Sequence, residues 1–278
     1  MLIQQITPDV LEWIAAQAQA GHKPDAVLQA MRASGWSDDV ALSAVEQSRR
    51  GSVAAEPPPP VAVPEPDAID SLCTLHTSDR DVQVLASMRL PRVVVFGNLL
   101  SHQECDSLIE LARPRLERST TVDNWSGGIE VNESRTSEGT FFERGENEVT
   151  RIIEARIAGL VNWPVEHGEG LQILRYGPGA EYRPHHDYFD PTVPGGHLML
   201  QRGGQRVATL VMYLNAPRKG GSTTFPDVGF QVAPVKGNAV FFSYDRAHPA
   251  SRTLHGGAPV IEGEKWVATK WLRERVFA

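Results

Sequence analysis

The sequence predicts a mainly β protein with supporting helices, a sandwich or barrel, preceded by a small all-α unit. Three observations carry that expectation. Apolar residues recur at helical spacing up to about residue 50, a proline-dense stretch then breaks the pattern, and from Leu171 short alternating runs separated by Gly and Pro take over. At 278 residues, 41% hydrophobic and 22% charged, the chain matches ordinary globular proteins of one or two domains.

In the first 50 residues the apolar positions fall in three groups: Val10, Leu11, Ile14 and Ala18; Val27, Leu28 and Met31; Val40, Ala41, Ala44 and Val45. Thr7 before Pro8, Lys23 before Pro24, and Ser37 before two aspartates mark helix starts, and Gly21, Gly35 and Gly51 mark ends. Residues 1–50 thus read as a small helical module. Its run PDAVLQAMRASGWSDDVALSAVEQ resembles ubiquitin-associated-type modules, which makes it a candidate for binding a protein partner. Residues 51–70 follow as a proline-rich linker. A run such as EPPPPVAVPEPD can be neither helix nor central strand and favours an extended polyproline II state.

Residues 71–278 form the second domain. Arg92 to Phe96 reads as a strand, and Ser101 to Ala112 as a helix capped by Ser101 with Leu108, Ile109 and Leu111 on its apolar side. A further helix is expected over Asn147 to Ile157. The segments LQILRY, RVATLVMYLN, STTFP, FQVAP, NAVFFSY and EKWVATKWL then supply the short strands of an all-β architecture.

Charge and cysteine content narrow the function. A net charge of −7 disfavours a protein that grips a phosphate backbone, so no nucleic-acid partner is expected. No apolar run is long enough for a membrane span, and no leader peptide is evident. Cys73 and Cys105 are too few for a disulfide framework or a four-thiolate metal site. A cytoplasmic location is expected, and any metal must rest on His, Asp or Glu.

Three such groups stand out: His185 and Asp187 in YRPHHDYFD, and His255 in SRTLHGGAP. Residues i and i+2 of a strand share a face, so His185 and Asp187 can bind one ion while His186 points away. Two histidines and one carboxylate leave coordination positions open on one side, which suits a ferrous oxygenase, although zinc hydrolases use the same donors. Lys265 follows His255 by ten residues, inside a strand rich in Trp and Val. Burying it is costly unless it meets an anion.

The pieces RPRLERS, SRTSEGTFF, RYGPGAEYRPHHD, GGQRVATLVMYLN, GGSTTFPDVG and HGGAPVIEGEKWVATKWL resemble, in order and spacing, the prolyl 4-hydroxylase branch of the Fe(II)/2-oxoglutarate dioxygenases. The resemblance covers about residues 90–275 and implies a double-stranded β-helix, or jelly roll, with helices on one side. It implies His185, Asp187 and His255 as ligands of Fe(2+), and Lys265 and Tyr176 as contacts of the co-substrate 2-oxoglutarate, with O2 consumed and L-ascorbate a further candidate cofactor. Tyr182, Arg206 and Trp271 match positions that meet a proline-containing peptide, and residues 119–135 match a mobile loop that folds over it. The sequence departs from the family at Ala258, where relatives often carry a cysteine, and at Arg273, which bears on substrate preference. Hydroxylation of peptidyl proline is therefore the expected reaction. An oxygenase acting on another side chain or a small molecule, and a catalytically silent peptide-binding scaffold, are the alternatives.

Overall fold

The computed structural model describes residues 6–19, 22–51, 57–67, 73–119, 121–122, 129–130, 136–191 and 194–278. Three helices open the chain: α1 (Pro8–Gln19), α2 (Pro24–Ala33) and α3 (Asp38–Gly51). They share a core of Ile14, Val27, Leu28, Met31, Ala41, Ala44 and Val45, which follows the helical periodicity of the sequence.

The second part begins with β1 (Thr74–His76), β2 (Asp81–Met88), β3 (Arg92–Gly97), α4 (His102–Ala112), β4 (Glu117–Arg118), β5 (Thr121–Val122), β6 (Ile129–Glu130), β7 (Glu138–Phe142) and α5 (Glu148–Leu160). It continues through β8 (Leu171–Tyr176), β9 (Tyr182–His185), α6 (Pro194–Gln201), β10 (Arg206–Tyr213), β11 (Lys219–Gly220), β12 (Thr223–Phe225) and β13 (Phe230–Val232). It ends with β14 (Ala239–Ser243), β15 (His255–Gly257), β16 (Val260–Glu262) and β17 (Lys265–Arg273). A large sheet runs β1-β2-β3-β14-β10-β17-β8-β7-β4, and a small one runs β13-β12-β15-β9.

Both faces of the central strands β3, β14, β10, β17 and β8 are buried, which is why these strands read as nearly continuous apolar runs. Val94 and Phe96 of β3 join Ile153, Ile157 and Leu160 of α5 and Leu108 of α4 in an outer core. Val93 and Val95 point the other way, with Phe242, Tyr244, Phe225 and Tyr176, into the space shared with the small sheet. This is the jelly-roll arrangement with helices on one side.

Local chemistry starts the helices. The Ser101 hydroxyl accepts from the Glu104 amide at 3.1 Å while the Glu104 carboxylate accepts from the Ser101 amide at 2.7 Å, a reciprocal cap for α4. Leu111, expected on the apolar side, is instead exposed, because the buried stripe of α4 is Cys105, Leu108 and Ala112. Helix α5 is capped by Asn147 and runs past the expected Ile157 to Leu160, whose side chain extends the stripe of Ile153 and Ile157 by one more turn. Of the expected lid over residues 119–135, Thr121 and Val122 pair with Ile129 and Glu130, and most of the rest lies outside the described residues.

The proline-rich stretch is not free of the second part. Pro64 and Pro66 are buried, the Val61 amide donates to the Asp245 carbonyl at 2.8 Å, and the Glu65 amide donates to the Val161 carbonyl at 3.0 Å. Arg92 pairs with Glu65, and Asn162 donates to Asp67 at 2.7 Å. Pro57 to Pro60 are exposed and belong to no helix or strand.

Strand β17 is the spine of the large sheet, and its residues alternate between the two cores. Lys270 points to the helix side, where its ammonium meets Glu154 of α5 at 2.5 Å and the Glu169 carbonyl, with Lys270 and Glu154 both nearly inaccessible. Removing one partner of such a pair strands the other charge. Lys270→Met is expected to lower stability by about 3–5 kcal/mol in urea denaturation, and adding Glu154→Leu to recover most of that loss.

Candidate metal centre

Strands β9 and β15 pair antiparallel with His255 opposite His185. Asp187 lies two residues beyond His185, and ligand atoms of all three residues come within 4.8 Å of one another. Gly256 permits this approach: a β-carbon there would lie 2.9 Å from the Tyr182 carbonyl oxygen and 3.1 Å from the Pro184 nitrogen. A larger residue would push β15 off β9 at the point where the two histidines meet.

Each imidazole is fixed through its far nitrogen. Nδ1 of His185 donates to the Arg183 carbonyl and Nδ1 of His255 to the Thr253 carbonyl, both at 3.0 Å. Both Nε2 atoms are left facing Asp187, at 3.4 Å from Oδ1 and 3.5 Å from Oδ2 respectively. Such outer hydrogen bonds select the tautomer that a metal needs. Rings add to the restraint: Tyr182 stacks on His185 at 3.7 Å between centroids, and Phe242 packs against His255 at 4.5 Å.

Charge at the cluster is unbalanced in the way a cation would complete. Burial works against ionisation of Asp187, yet His255, His185 and Arg206 outweigh it and hold the carboxyl well below the usual range. Burial also pushes His255 down to about 4, against the pull of Asp187, so its imidazole is neutral near pH 7 and its Nε2 lone pair is free to bind a metal. Two imidazoles and one carboxylate fit a divalent first-row ion.

The cleft beside the cluster is lined by Tyr176, Tyr182, Thr223, Lys265, Thr269 and Trp271, among others. Lys265 is 4% exposed, and burial alone pulls its ammonium down to about 8, with no acidic group among the described residues to offset it. Its Nζ lies 5.4 Å from the Tyr176 ring and 5.9 Å from the Tyr213 ring. Across the sheet, Lys265 is in register with Tyr176. A buried cation without a counter-charge, beside a pocket with a metal-type donor set, is arranged for an anionic ligand.

Sequence comparison bears on the same region. A family model described as the 2OG-Fe(II) oxygenase superfamily matches residues 171–273. Prolyl 4-hydroxylase 5 of Arabidopsis thaliana is 40% identical over 208 residues, covering 67% of this chain and 70% of that protein. This chain belongs to the 2OG-Fe(II) oxygenase superfamily. Another relative of the oxygenase, Prolyl 4-hydroxylase 1 of Arabidopsis thaliana, is 43% identical over 202 residues, covering 66% of this chain and 70% of that protein. Among solved structures, the viral collagen prolyl hydroxylase of Paramecium Bursaria Chlorella virus-1 in its 2OG complex aligns with a TM-score of 0.51 and 32% identity, over 65% of this chain and 95% of that one. The protein is thus a 2-oxoglutarate-dependent dioxygenase, whose reaction uses Fe(2+), 2-oxoglutarate and O2.

The oxygenase brings seven of the eight residues singled out in the sequence to one cleft: His185, Asp187, His255, Tyr176, Lys265, Tyr182 and Trp271. Arg206 stands behind the wall. Its guanidinium grips Glu169 through two hydrogen bonds of 2.6 and 2.8 Å and lies 4.0 Å over the Trp271 ring, so it reaches the cleft through that ring. His186 is outside the ligand group and stacks on Tyr188.

Sequence reasoning passed over Thr209 and Tyr244. The Thr209 hydroxyl donates to Oδ2 of Asp187 at 2.7 Å and lies 3.0 Å from the Tyr244 hydroxyl, both residues being almost fully buried. A hydroxyl midway along the apolar run RVATLVMY, on the inward face, was the available signal. Thr209→Val keeps the shape and removes the hydrogen bond that orients the carboxylate. It is expected to weaken metal binding about 10- to 100-fold, as read by titrating the apoprotein with ferrous or manganous ion.

Proposed function

We propose that the oxygenase hydroxylates peptidyl proline in proline-containing protein or peptide substrates, with His185, Asp187 and His255 holding Fe(II). The observation that carries this reading is the buried Lys265 ammonium, unpaired among the described acidic groups, opening on the same cleft as the ligand cluster. The names of the relatives, prolyl 4-hydroxylases, support proline as the target. Bound iron and 2-oxoglutarate supply an oxidant that inserts one oxygen atom of O2 into a C–H bond, with succinate and CO2 as the other products.

The chain's own groups do the rest. Lys265 pairs with the distal carboxylate of 2-oxoglutarate and Tyr176 donates a hydrogen bond to it. The Nδ1 hydrogen bonds of His185 and His255 keep both Nε2 lone pairs aimed at the metal, and Thr209 keeps Asp187 from rotating. Tyr182 and Trp271 flank the opening and hold the peptide against water, with Arg206 positioning Trp271. L-Ascorbate is the further cofactor that this reading would add. Residues 71–278 are the catalytic domain, 51–70 the linker and 1–50 a helical module that binds a protein partner through the apolar hollow of Val10, Trp13, Met31 and Trp36. No helix among the described residues is long and apolar enough to cross a membrane. We assign the enzyme to the cytoplasm.

The direct test is 2-oxoglutarate decarboxylation with ferrous iron and a proline-rich peptide. Succinate and hydroxyproline should appear in equal amounts, and Asp187→Ala should abolish both. Succinate without hydroxyproline would point to another side chain, and an undiminished rate in Asp187→Ala would sink the ligand assignment.

Lys265 gives a second prediction. Its ammonium is charged in the free site below about pH 8. Above that, binding a dicarboxylate must first take up a proton, so affinity for 2-oxoglutarate should fall by up to about tenfold per pH unit. Lys265→Ala should raise the dissociation constant about 10- to 100-fold near neutrality and flatten the pH dependence, both measurable by calorimetry.

A further inference from the structure

The chain carries its own proline-rich peptide, and the structure fixes where one end of it sits. Val61 is hydrogen-bonded to Asp245, two residues past Ser243 at the end of β14. Ser243 pairs with Ala208, the neighbour of Thr209, and Thr209 holds Asp187. Between Ser243 and Asp245, the Tyr244 side chain turns inward and its hydroxyl reaches Thr209. Val61 is therefore anchored beside Tyr244, whose hydroxyl leads through Thr209 to Asp187. From there the segment runs away from the cleft, to Val161 at the end of α5 on the helix side. Pro57 to Pro60 immediately precede this anchor in the chain, exposed and in no helix or strand.

We infer that Pro57 to Pro60 are a substrate of the same molecule's cleft, a hydroxylation site built into the chain; this rests on the prolyl hydroxylation proposed above. Four prolines in polyproline II span about 12 Å and pay little entropy to extend. An anchored segment meets its site at an effective concentration on the order of millimolar. The same anchors impose a selection: Pro64 and Pro66 are buried against the second part and held by the Glu65 contacts, so they are not presented. The step balances without another reductant. One oxygen atom of O2 converts a prolyl C–H to C–OH, and the other enters 2-oxoglutarate as it loses CO2 to become succinate.

The experiment uses the full chain with ferrous iron, 2-oxoglutarate and O2, and no added peptide. Trypsin releases residues 51–80 as one fragment, since no Lys or Arg lies between Arg50 and Arg80. The expected result is a gain of one or more oxygen atoms on that fragment, mapped by fragmentation to Pro57–Pro60 and absent from Pro64 and Pro66, at a first-order rate independent of protein concentration. Glu65→Ala, which loosens the anchor, should slow this several-fold while leaving the rate on a free proline-rich peptide unchanged. An unmodified fragment from an enzyme that hydroxylates the free peptide would overturn the inference and leave the proposed function standing. Failure on both would overturn the proposed function as well. If wild-type enzyme modified the Asp187→Ala protein as fast as itself, the reaction would be between molecules and the anchored arrangement would be refuted.

Discussion

Strands β9 and β15 are short, and their pairing puts His185 opposite His255 with Asp187 just beyond. The cleft depends on that contact. It brings together groups some 70 positions apart in the chain, and it works only because Gly256 lets the two backbones close to a distance no side chain would tolerate. The large sheet then supplies what the small one cannot: Thr209 behind the carboxylate from β10, Lys265 and Trp271 from β17, Tyr176 from β8. Each arrives on the inward face by strict alternation, while its neighbours serve the outer core.

That alternation explains how β17 serves two purposes. Lys265, Val267, Thr269 and Trp271 face the cleft, whereas Trp266, Ala268 and Leu272 join the outer core and Lys270 is neutralised by Glu154. The two lysines differ in what they meet. Lys270 has an acid within the fold and is structural; Lys265 has none among the described residues and waits for one from outside.

Much of this was readable from residue order. His185 and Asp187 announced themselves through a two-residue spacing in a strand, and the helical module through its periodic Val27, Leu28, Met31, Ala41 and Ala44, all buried as the pattern implied. His255 and Lys265 stood out by residue type, but no local pattern says which distant strand will lie opposite, and their roles came from the family resemblance. Thr209 and Tyr244 stayed silent since a hydroxyl in an apolar run reads as neutral until its partner is known. That Arg206 pairs with Glu169 could not be seen in the sequence, because the two lie 37 residues apart and only the folded sheet brings them together. Proline content likewise foretold an extended stretch without saying that its second half would lie along Val161 and Asp245.

The two Nδ1 hydrogen bonds to Arg183 and Thr253 end on main-chain carbonyls, beside the paired strands β9 and β15. Main-chain hydrogen bonds and strand pairing thus orient both rings within a large folded core, unlike small zinc modules that are unfolded without their metal. Chelation should strip the ion and leave the polypeptide intact. A cell short of iron would then keep a reserve of folded, silent enzyme, and supply of the metal, not new synthesis, would set how quickly activity returns.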